Sequence, residues 1–179
     1  PAVLCPAFLI TGIFINQIYL FENLNWGINF IAPSFTAYAI FSVISLQLSG
    51  FLIDKFSALK ILPFYLIPMI LGLLFSLFFK FALSPVIFFI LMAITNGTSN
   101  VLLTSTWSEM YGTKHLGAIR SITVSLMVFS TSLSPFIFGY LIDFGFDAKD
   151  ITLFMVIYAL FSNGLLLLRL KSYKPVINS

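Results

Sequence analysis

The sequence predicts an all-α integral membrane protein with six transmembrane helices, and three observations support this fold class. Apolar residues make up 60% of the 179 residues and charged residues only 8%, whereas a soluble domain carries about 25% charged residues. The mean hydropathy is +1.07. The few charges stand in short clusters, and the uncharged runs between them have the length that crosses a bilayer as a helix.

Removing every Asp, Glu, Lys and Arg leaves six apolar runs. Each run is interpreted as an α-helix, because none shows the sustained alternation of a barrel strand and a helix satisfies its own backbone groups in hydrocarbon. The predicted spans, one to six in chain order, are residues 2–21, 29–53, 61–79, 83–108, 121–142 and 151–168. The first run lacks the basic n-region of a signal peptide. Because the sequence begins with Pro1 rather than Met, we expect further residues upstream.

The Lys and Arg residues predict the orientation of the spans, because cytoplasmic loops carry an excess of positive charge. Seven of the nine cations follow spans two, four and six, namely Lys55, Lys60, Lys114, Arg120, Arg169, Lys171 and Lys174. The other two are Lys80 and Lys149. The loops after spans two and four and the C-terminus are therefore predicted to be cytoplasmic, with the protein in the plasma membrane (the inner membrane of a bacterium). The cations form no continuous basic patch, so we expect no nucleic-acid partner.

The stretch GFLID at 50–54 closes span two and returns as GYLID at 139–143, 89 positions later, at the end of span five. These spans are the middle helices of two triplets, and a separation of three spans gives the triplets opposite orientations. The pattern predicts two inverted three-helix repeats, which are typical of secondary transporters with a substrate site near the midplane. The alternative is a chance match. The residues expected at helix-packing positions are Gly97, Pro135, Gly139 and Asp143.

Spans one and four carry polar side chains at mid-depth. Asn16 and Gln17 lie in the first, and Asn96, Asn100 and Thr104 recur at four-residue spacing in the fourth. Polar groups in hydrocarbon are costly unless they face protein or water. We therefore expect these five residues to line a substrate pathway. The alternative for each is a hydrogen bond across a helix interface.

The loop after span two carries the sharpest resemblance to a known family. GFLIDKFSALK at 50–60 is similar to the motif Gly-x-x-x-Asp-Arg/Lys-x-Gly-Arg/Lys-x-Arg/Lys of the major facilitator superfamily, and the chain looks like the C-terminal six helices of that fold. Ser57 stands where glycine is usual. The positions that match are Gly50, Asp54, Lys55 and Lys60. The resemblance implies a cytoplasmic gate, in which Asp54 accepts hydrogen bonds from a neighbouring helix N-terminus and the cations pair with acidic groups.

Two further stretches resemble bacterial members of the family that are similar to monocarboxylate porters: WSEMYGTKHLGAIR at 107–120 and TGIFINQIYLFENLNW at 11–26. The resemblance implies that Glu109, Lys114 and Arg120 form the matching gate of the second triplet. The alternative is that they are ordinary interfacial charges, with Arg120 snorkelling.

The resemblance implies a secondary active transporter of a small organic anion or metabolite that works by alternating access. The implied partners are the lipid bilayer, the small-molecule substrate and an N-terminal six-helix half. Animal monocarboxylate carriers of the family place an Asp and an Arg in the equivalent of span two, whereas residues 29–49 carry no charge. A charged anchor for a carboxylate is therefore expected from the N-terminal half.

Two other classes of function were considered. One is a complete six-span protein that forms a homodimeric channel or half-size transporter. The other is an intramembrane enzyme, which needs paired acids, a Ser/His pair or metal ligands at mid-depth. The sequence offers none of these at mid-depth. We therefore expect no enzymatic activity, no bound metal and no cofactor.

Overall fold

The computed structural model describes residues 1–172, which form helices joined by short turns. No strand occurs within this range. The α-helices are α1 (Cys5–Ile15), α2 (Gln17–Asn23), α3 (Ile31–Phe56), α4 (Ala58–Ile61), α5 (Ile67–Phe78), α6 (Ser84–Tyr111), α7 (Leu116–Asp143) and α8 (Ala148–Ser172). Short 3-10 turns at Ile28–Phe30 and Leu62–Phe64 precede α3 and α5.

Five helical segments of the described chain are long and apolar enough to cross a membrane: Ile28–Phe56, Ala58–Phe78, Ser84–Tyr111, Leu116–Asp143 and Ala148–Leu170. They coincide with predicted spans two to six. Many large apolar side chains on these helices are exposed, including Phe51, Phe78 and Phe136. An outer surface of this kind suits lipid rather than water. The prediction of an all-helical protein with helices long and apolar enough to span a membrane is confirmed for the described residues.

The first predicted span differs from the prediction of one continuous helix over 2–21. It forms α1 and α2, which meet at Asn16 with a bend of 74°. At the break, the carbonyl oxygen of Gly12 accepts both the side-chain Nδ2 of Asn16 at 3.0 Å and the backbone N–H of Asn16 at 3.1 Å. The two pieces together still have the length and composition of one span.

The helices pack in a pattern that pairs distant spans. The most extensive contact is between α3 and α6, while α1 packs on α7, and α5 packs on both α6 and α8. An aromatic cluster lies where α1, α3 and α6 meet, with Phe14 4.9 Å from both Phe35 and Tyr38 between ring centroids. Phe89 of α6 completes this cluster at 5.1 Å from Phe35. The cluster fixes α1 against the α3–α6 pair.

The connections between helices alternate between the two ends of the bundle. At one end, Glu109 of α6 binds Ser57 in the α3–α4 turn. At the opposite end, the Tyr19 hydroxyl donates to the carbonyl oxygen of Phe146, 2.8 Å away, in the α7–α8 connection. Of the cations up to Leu170, five lie at the Glu109 end and two at the opposite end. We call the Glu109 end the basic end; its five cations are Lys55, Lys60, Lys114, Arg120 and Arg169.

A candidate solute pathway

The predicted polar stripe follows one side of α6. The Asn100 side-chain Nδ2 donates to the carbonyl oxygen of Asn96 at 2.9 Å, and the Thr104 hydroxyl donates to the carbonyl oxygen of Asn100 at 3.3 Å. One N–H of the Asn100 amide and the hydroxyl proton of Thr104 are thus bonded within α6. The side-chain carbonyl of Asn100 has no partner among residues 1–172. Since Asn100 is exposed on the bundle, the stripe offers acceptors outward to a solute or to water.

The same turn of α6 crosses α3 closely at Gly97. A Cβ atom at Gly97 would lie 2.9 Å from both the backbone nitrogen of Leu46 and the Cβ of Ser45. Only glycine fits at this separation, because side chains need more than 3 Å. The packing position expected for Gly97 is therefore a backbone-to-backbone contact between α6 and α3. This contact fixes the rotation of α6 about its axis against α3.

A small cleft opens between the polar stripe of α6 and the first turns of α7. Its volume is about 100 Å³, and its lining includes Asn100, Thr104, Arg120 and Thr123. Arg120 forms no ion pair with any described residue. The structure therefore brings a cation expected at the cytoplasmic gate into the same cleft as two of the predicted substrate-lining residues. The Arg120 guanidinium and the second N–H of the Asn100 amide are donors that suit an anionic oxygen.

The break between α1 and α2 lies on the other side of the aromatic cluster. Asn16 is half-buried at the break, and the side-chain oxygen of Gln17 is buried without a hydrogen-bond partner in the described chain. The Tyr38 hydroxyl lies within reach of Asn96, and its ring contacts Phe14, two residues before the break. No described hydrogen bond joins Asn16 or Gln17 to Asn96 or Asn100. The predicted lining residues thus form two groups separated by aromatic rings.

At the basic end, a single carboxylate ties α6 to the turn between α3 and α4. Glu109 Oε2 accepts a hydrogen bond from the Ser57 hydroxyl at 2.8 Å, and Oε1 accepts one from the backbone N–H of Ala58 at 2.7 Å. The N–H of Leu59 donates to Oε2 at 3.2 Å. Ser57 has a φ of +76°, a region that favours glycine. The carboxylate therefore holds a strained turn at the point where the family motif has glycine.

The remaining gate residues are exposed at the same end. Asp54 forms no hydrogen bond within the described chain, and the hydrogen bonds that the family resemblance assigns to it are formed here by Glu109. The Lys55 ammonium lies 5.4 Å from the centroid of the Phe56 ring. Lys60 and Lys114 form no ion pair with any residue up to Leu170. Their pairing with acidic groups stays a prediction.

The other residues expected at packing positions are Pro135, Gly139 and Asp143, and Gly50 is the glycine that matches Gly139 in the repeated stretch. A Cβ atom at Gly50 or at Gly139 would meet nothing within 4 Å. Pro135 is half-buried, and Asp143 is exposed at the last turn of α7. No close helix contact is made at Gly50 or Gly139 inside the described bundle. Their packing role stays a prediction for a partner that covers α3 and α7.

One close crossing escaped the sequence analysis. A Cβ atom at Gly12 of α1 would lie 2.5 Å from the Phe138 ring and 2.8 Å from the Ser134 hydroxyl of α7. The Ser134 hydroxyl also donates to the carbonyl oxygen of Phe8 at 2.6 Å. Ser134 stands 89 positions after Ser45, the same separation as between Gly50 and Gly139. Extending that separation through spans two and five would have identified Ser134 from the sequence.

No family model, characterised protein or solved structure matches the chain in comparisons with known proteins. Within residues 1–172, no group of three or more His, Cys, Asp or Glu side chains lies close enough together to hold a metal ion.

Proposed function

We propose that the chain is one six-helix half of a secondary transporter of the major facilitator type, and that it carries a small organic anion across a membrane by alternating access. The observation that carries the proposal is the cleft in which Arg120 faces Asn100 and Thr104 on an otherwise apolar bundle. Ionisable and amide groups at membrane depth mark solute pathways. A free cation among hydrogen-bond donors favours an anionic solute over a sugar or a cationic drug.

The inverted-repeat architecture is supported by the pairing of the helices. If spans one to three and four to six are related by a two-fold axis, a contact of span two with span four requires a contact of span five with span one. The extensive packing of α3 on α6 and the packing of α1 on α7 are such a pair. Each contact also crosses at a glycine, Gly97 in one and Gly12 in the other.

The broken first span further supports a transporter. Transporters use discontinuous helices near the midplane, where unwound backbone lines a cavity rather than lipid. The break at Asn16 lies at mid-length in the first span and is followed by Gln17, whose side-chain oxygen is buried and unpaired. These two residues are proposed to line the solute pathway on the side of the aromatic cluster opposite the Arg120 cleft.

A second six-helix bundle is the proposed partner, and it would cover the exposed faces of α3 and α7. Gly50 and Gly139 lie on these helices with open space at their Cβ positions. Rocking of the two bundles would expose the cleft to either side in turn. Asp54, Lys55, Lys60 and Lys114 are proposed to face the partner at the basic end, which the charge bias assigns to the cytoplasm of a bacterial inner membrane. No chemical bond changes, and the gradient of a coupled solute or of protons drives transport.

The experiment is uptake into proteoliposomes by the complete reading frame that contains this chain. Radiolabelled lactate, pyruvate, glucose and tetraphenylphosphonium test anion, sugar and cation transport. We expect concentrative uptake of a carboxylate only. Arg120→Gln and Asn100→Ala are each expected to reduce it about tenfold, because a charged or polar contact to the anion is lost.

The matched control is Asn23→Ala. The Asn23 amide donates to the carbonyl oxygen of Tyr19 at 2.9 Å, four residues back on its own helix, as Asn100 does to Asn96. Uptake should not change in this variant. Glucose or cation uptake that is indifferent to Arg120→Gln would contradict the anion proposal. Flux that needs no gradient and proceeds through the 179-residue chain alone would favour the homodimeric channel.

A further inference from the structure

A second cavity, distinct from the Arg120 cleft, lies at the basic end between α6, α8, the turn that precedes α5 and the first residues of the chain. Its volume is about 460 Å³, and its lining is largely apolar, with Leu62, Leu103 and Leu166 among the lining residues. Leu103 and Tyr111 mark its extent along α6, and eight residues of helix span about 12 Å. The cavity therefore reaches from the end of the helix to a depth that a lipid acyl chain occupies.

Trp107 lines this cavity and also the Arg120 cleft, so its ring stands between the two. The indole Nε1 is buried, and its N–H finds no hydrogen-bond acceptor in the described chain. A buried donor without a partner is unusual, because leaving it unpaired costs about 1–3 kcal/mol. An acceptor such as an ester carbonyl in the cavity would satisfy it.

The mouth of the cavity is cationic and aromatic. Arg169 of α8 lines it, is exposed, and forms no ion pair within residues 1–170. Lys171 and Lys174 follow in the sequence. Tyr111, also on the rim, is 57% exposed, and aromatic side chains of this kind favour the headgroup level of a membrane. Basic pockets between helices on the cytoplasmic side bind anionic headgroups.

We propose that this cavity is a binding site for an anionic phospholipid. One acyl chain occupies the apolar part beside Leu103, an ester carbonyl accepts the Trp107 N–H, and Arg169 pairs with the phosphate-bearing headgroup. The site belongs to the membrane-embedded bundle and does not rest on the transport proposal. Charge complementarity selects an anionic lipid over a zwitterionic one.

Tryptophan fluorescence tests the proposal directly, because the described chain has only Trp26 and Trp107. Trp26 lies at the opposite end, 5.2 Å from Phe88 between ring centroids. In a Trp26→Phe variant in detergent, Trp107 reports alone. We expect phosphatidylglycerol with brominated acyl chains to quench it at a lower concentration than brominated phosphatidylcholine. Arg169→Gln should raise the half-quenching concentration of the anionic lipid about fivefold.

Lys80→Gln, which removes a cation at the opposite end, is the matched control and should change nothing. Native mass spectrometry of the unsubstituted chain gives a second readout, in which phosphatidylglycerol adducts persist at collision energies that strip phosphatidylcholine. Equal quenching by both lipids, or adducts unaffected by Arg169→Gln, would overturn the proposal. Stronger quenching by a brominated fatty acid than by the phospholipid would overturn the choice of ligand.

Discussion

The helices cross closely at Gly97 and at Gly12, and at each place the glycine meets a serine of the other helix. The atoms that approach the two glycines are nevertheless different. At Gly97 the nearest atoms belong to the backbone of α3 and to the Cβ of Ser45, whereas at Gly12 they belong to the side chains of Phe138 and Ser134. The first crossing therefore brings helix backbone against helix backbone. The second leaves room for side chains between α1 and α7.

The two helices that carry these glycines, α6 and α1, also differ in how far they continue beyond the crossing. Beyond Gly97, α6 continues unbroken to Tyr111, while α1 ends at Ile15, three residues after Gly12. The α3–α6 contact is the most extensive in the described bundle, whereas α1 ends within four residues of its crossing with α7. We therefore predict that the α3–α6 pair is the more stable part of the bundle.

The largest expected effect comes from adding a methyl group at the tighter crossing. Gly97→Ala should lower the free energy of unfolding by about 3 kcal/mol, because backbone atoms of α3 cannot move aside. Gly12→Ala should cost less, about 1–2 kcal/mol, since the atoms it meets belong to side chains rather than backbone and alanine favours the helix. Unfolding in mixed detergent and SDS measures both values.

Gly139→Ala is the control for the helix propensity of alanine. Nothing lies within 4 Å of its Cβ position, so stability should stay the same or rise by up to about 1 kcal/mol. An equal loss of stability in the Gly97 and Gly12 variants would remove the distinction between the two crossings.

An intermediate effect on stability is expected at the basic end, where the Glu109 carboxylate connects α6 to the turn between α3 and α4. Glu109→Ala removes the acceptor of three hydrogen bonds at Ser57, Ala58 and Leu59 and should cost about 1–2 kcal/mol. Amide hydrogen exchange at Ala58 and Leu59 should accelerate. Glu22→Ala, an exposed carboxylate at the opposite end, is the control. Unchanged exchange at Ala58 would contradict a role of Glu109 in holding this turn.

The smallest expected effects on stability concern Ser134 and Ser45, the serines at the two crossings. Ser134→Ala removes a hydrogen bond to the carbonyl oxygen of Phe8 between α7 and α1, which should cost about 0.6–1 kcal/mol. Ser45→Ala should leave stability nearly unchanged, because within the described residues the Ser45 hydroxyl donates no hydrogen bond to another helix. Thermal unfolding in detergent distinguishes the two. A larger loss at Ser45 would reverse the assignment of which crossing depends on side chains.

The sequence was enough to predict the features that depend on composition and on the spacing of residues along a helix. Apolar runs identified the helices, and the four-residue spacing identified the stripe of Asn96, Asn100 and Thr104. The break at Asn16 was missed, because residues 2–21 form one uncharged run with no proline or glycine at the break. Arg120 was expected only at the gate, since its position beside Asn100 depends on how α7 packs on α6.

The hydrogen bonds of Glu109 also lay beyond prediction from the sequence. They depend on the positive φ of Ser57 and on the close approach of the end of α6 to the start of α4, 50 residues apart in the chain. The family motif drew attention to Asp54 instead, because that motif describes one loop and not the carboxylate that meets it from another helix.

The central claim is that the chain crosses the membrane six times as two inverted triplets. Single cysteines at Asn23, Lys114 and Lys149, in a Cys5→Ala background, test it with a membrane-impermeant thiol reagent on intact cells. The account predicts labelling of Asn23→Cys and Lys149→Cys from outside, and of Lys114→Cys only after permeabilisation. Labelling of Lys114→Cys and Lys149→Cys from the same side, or protection of Asn23→Cys in intact cells, would contradict it.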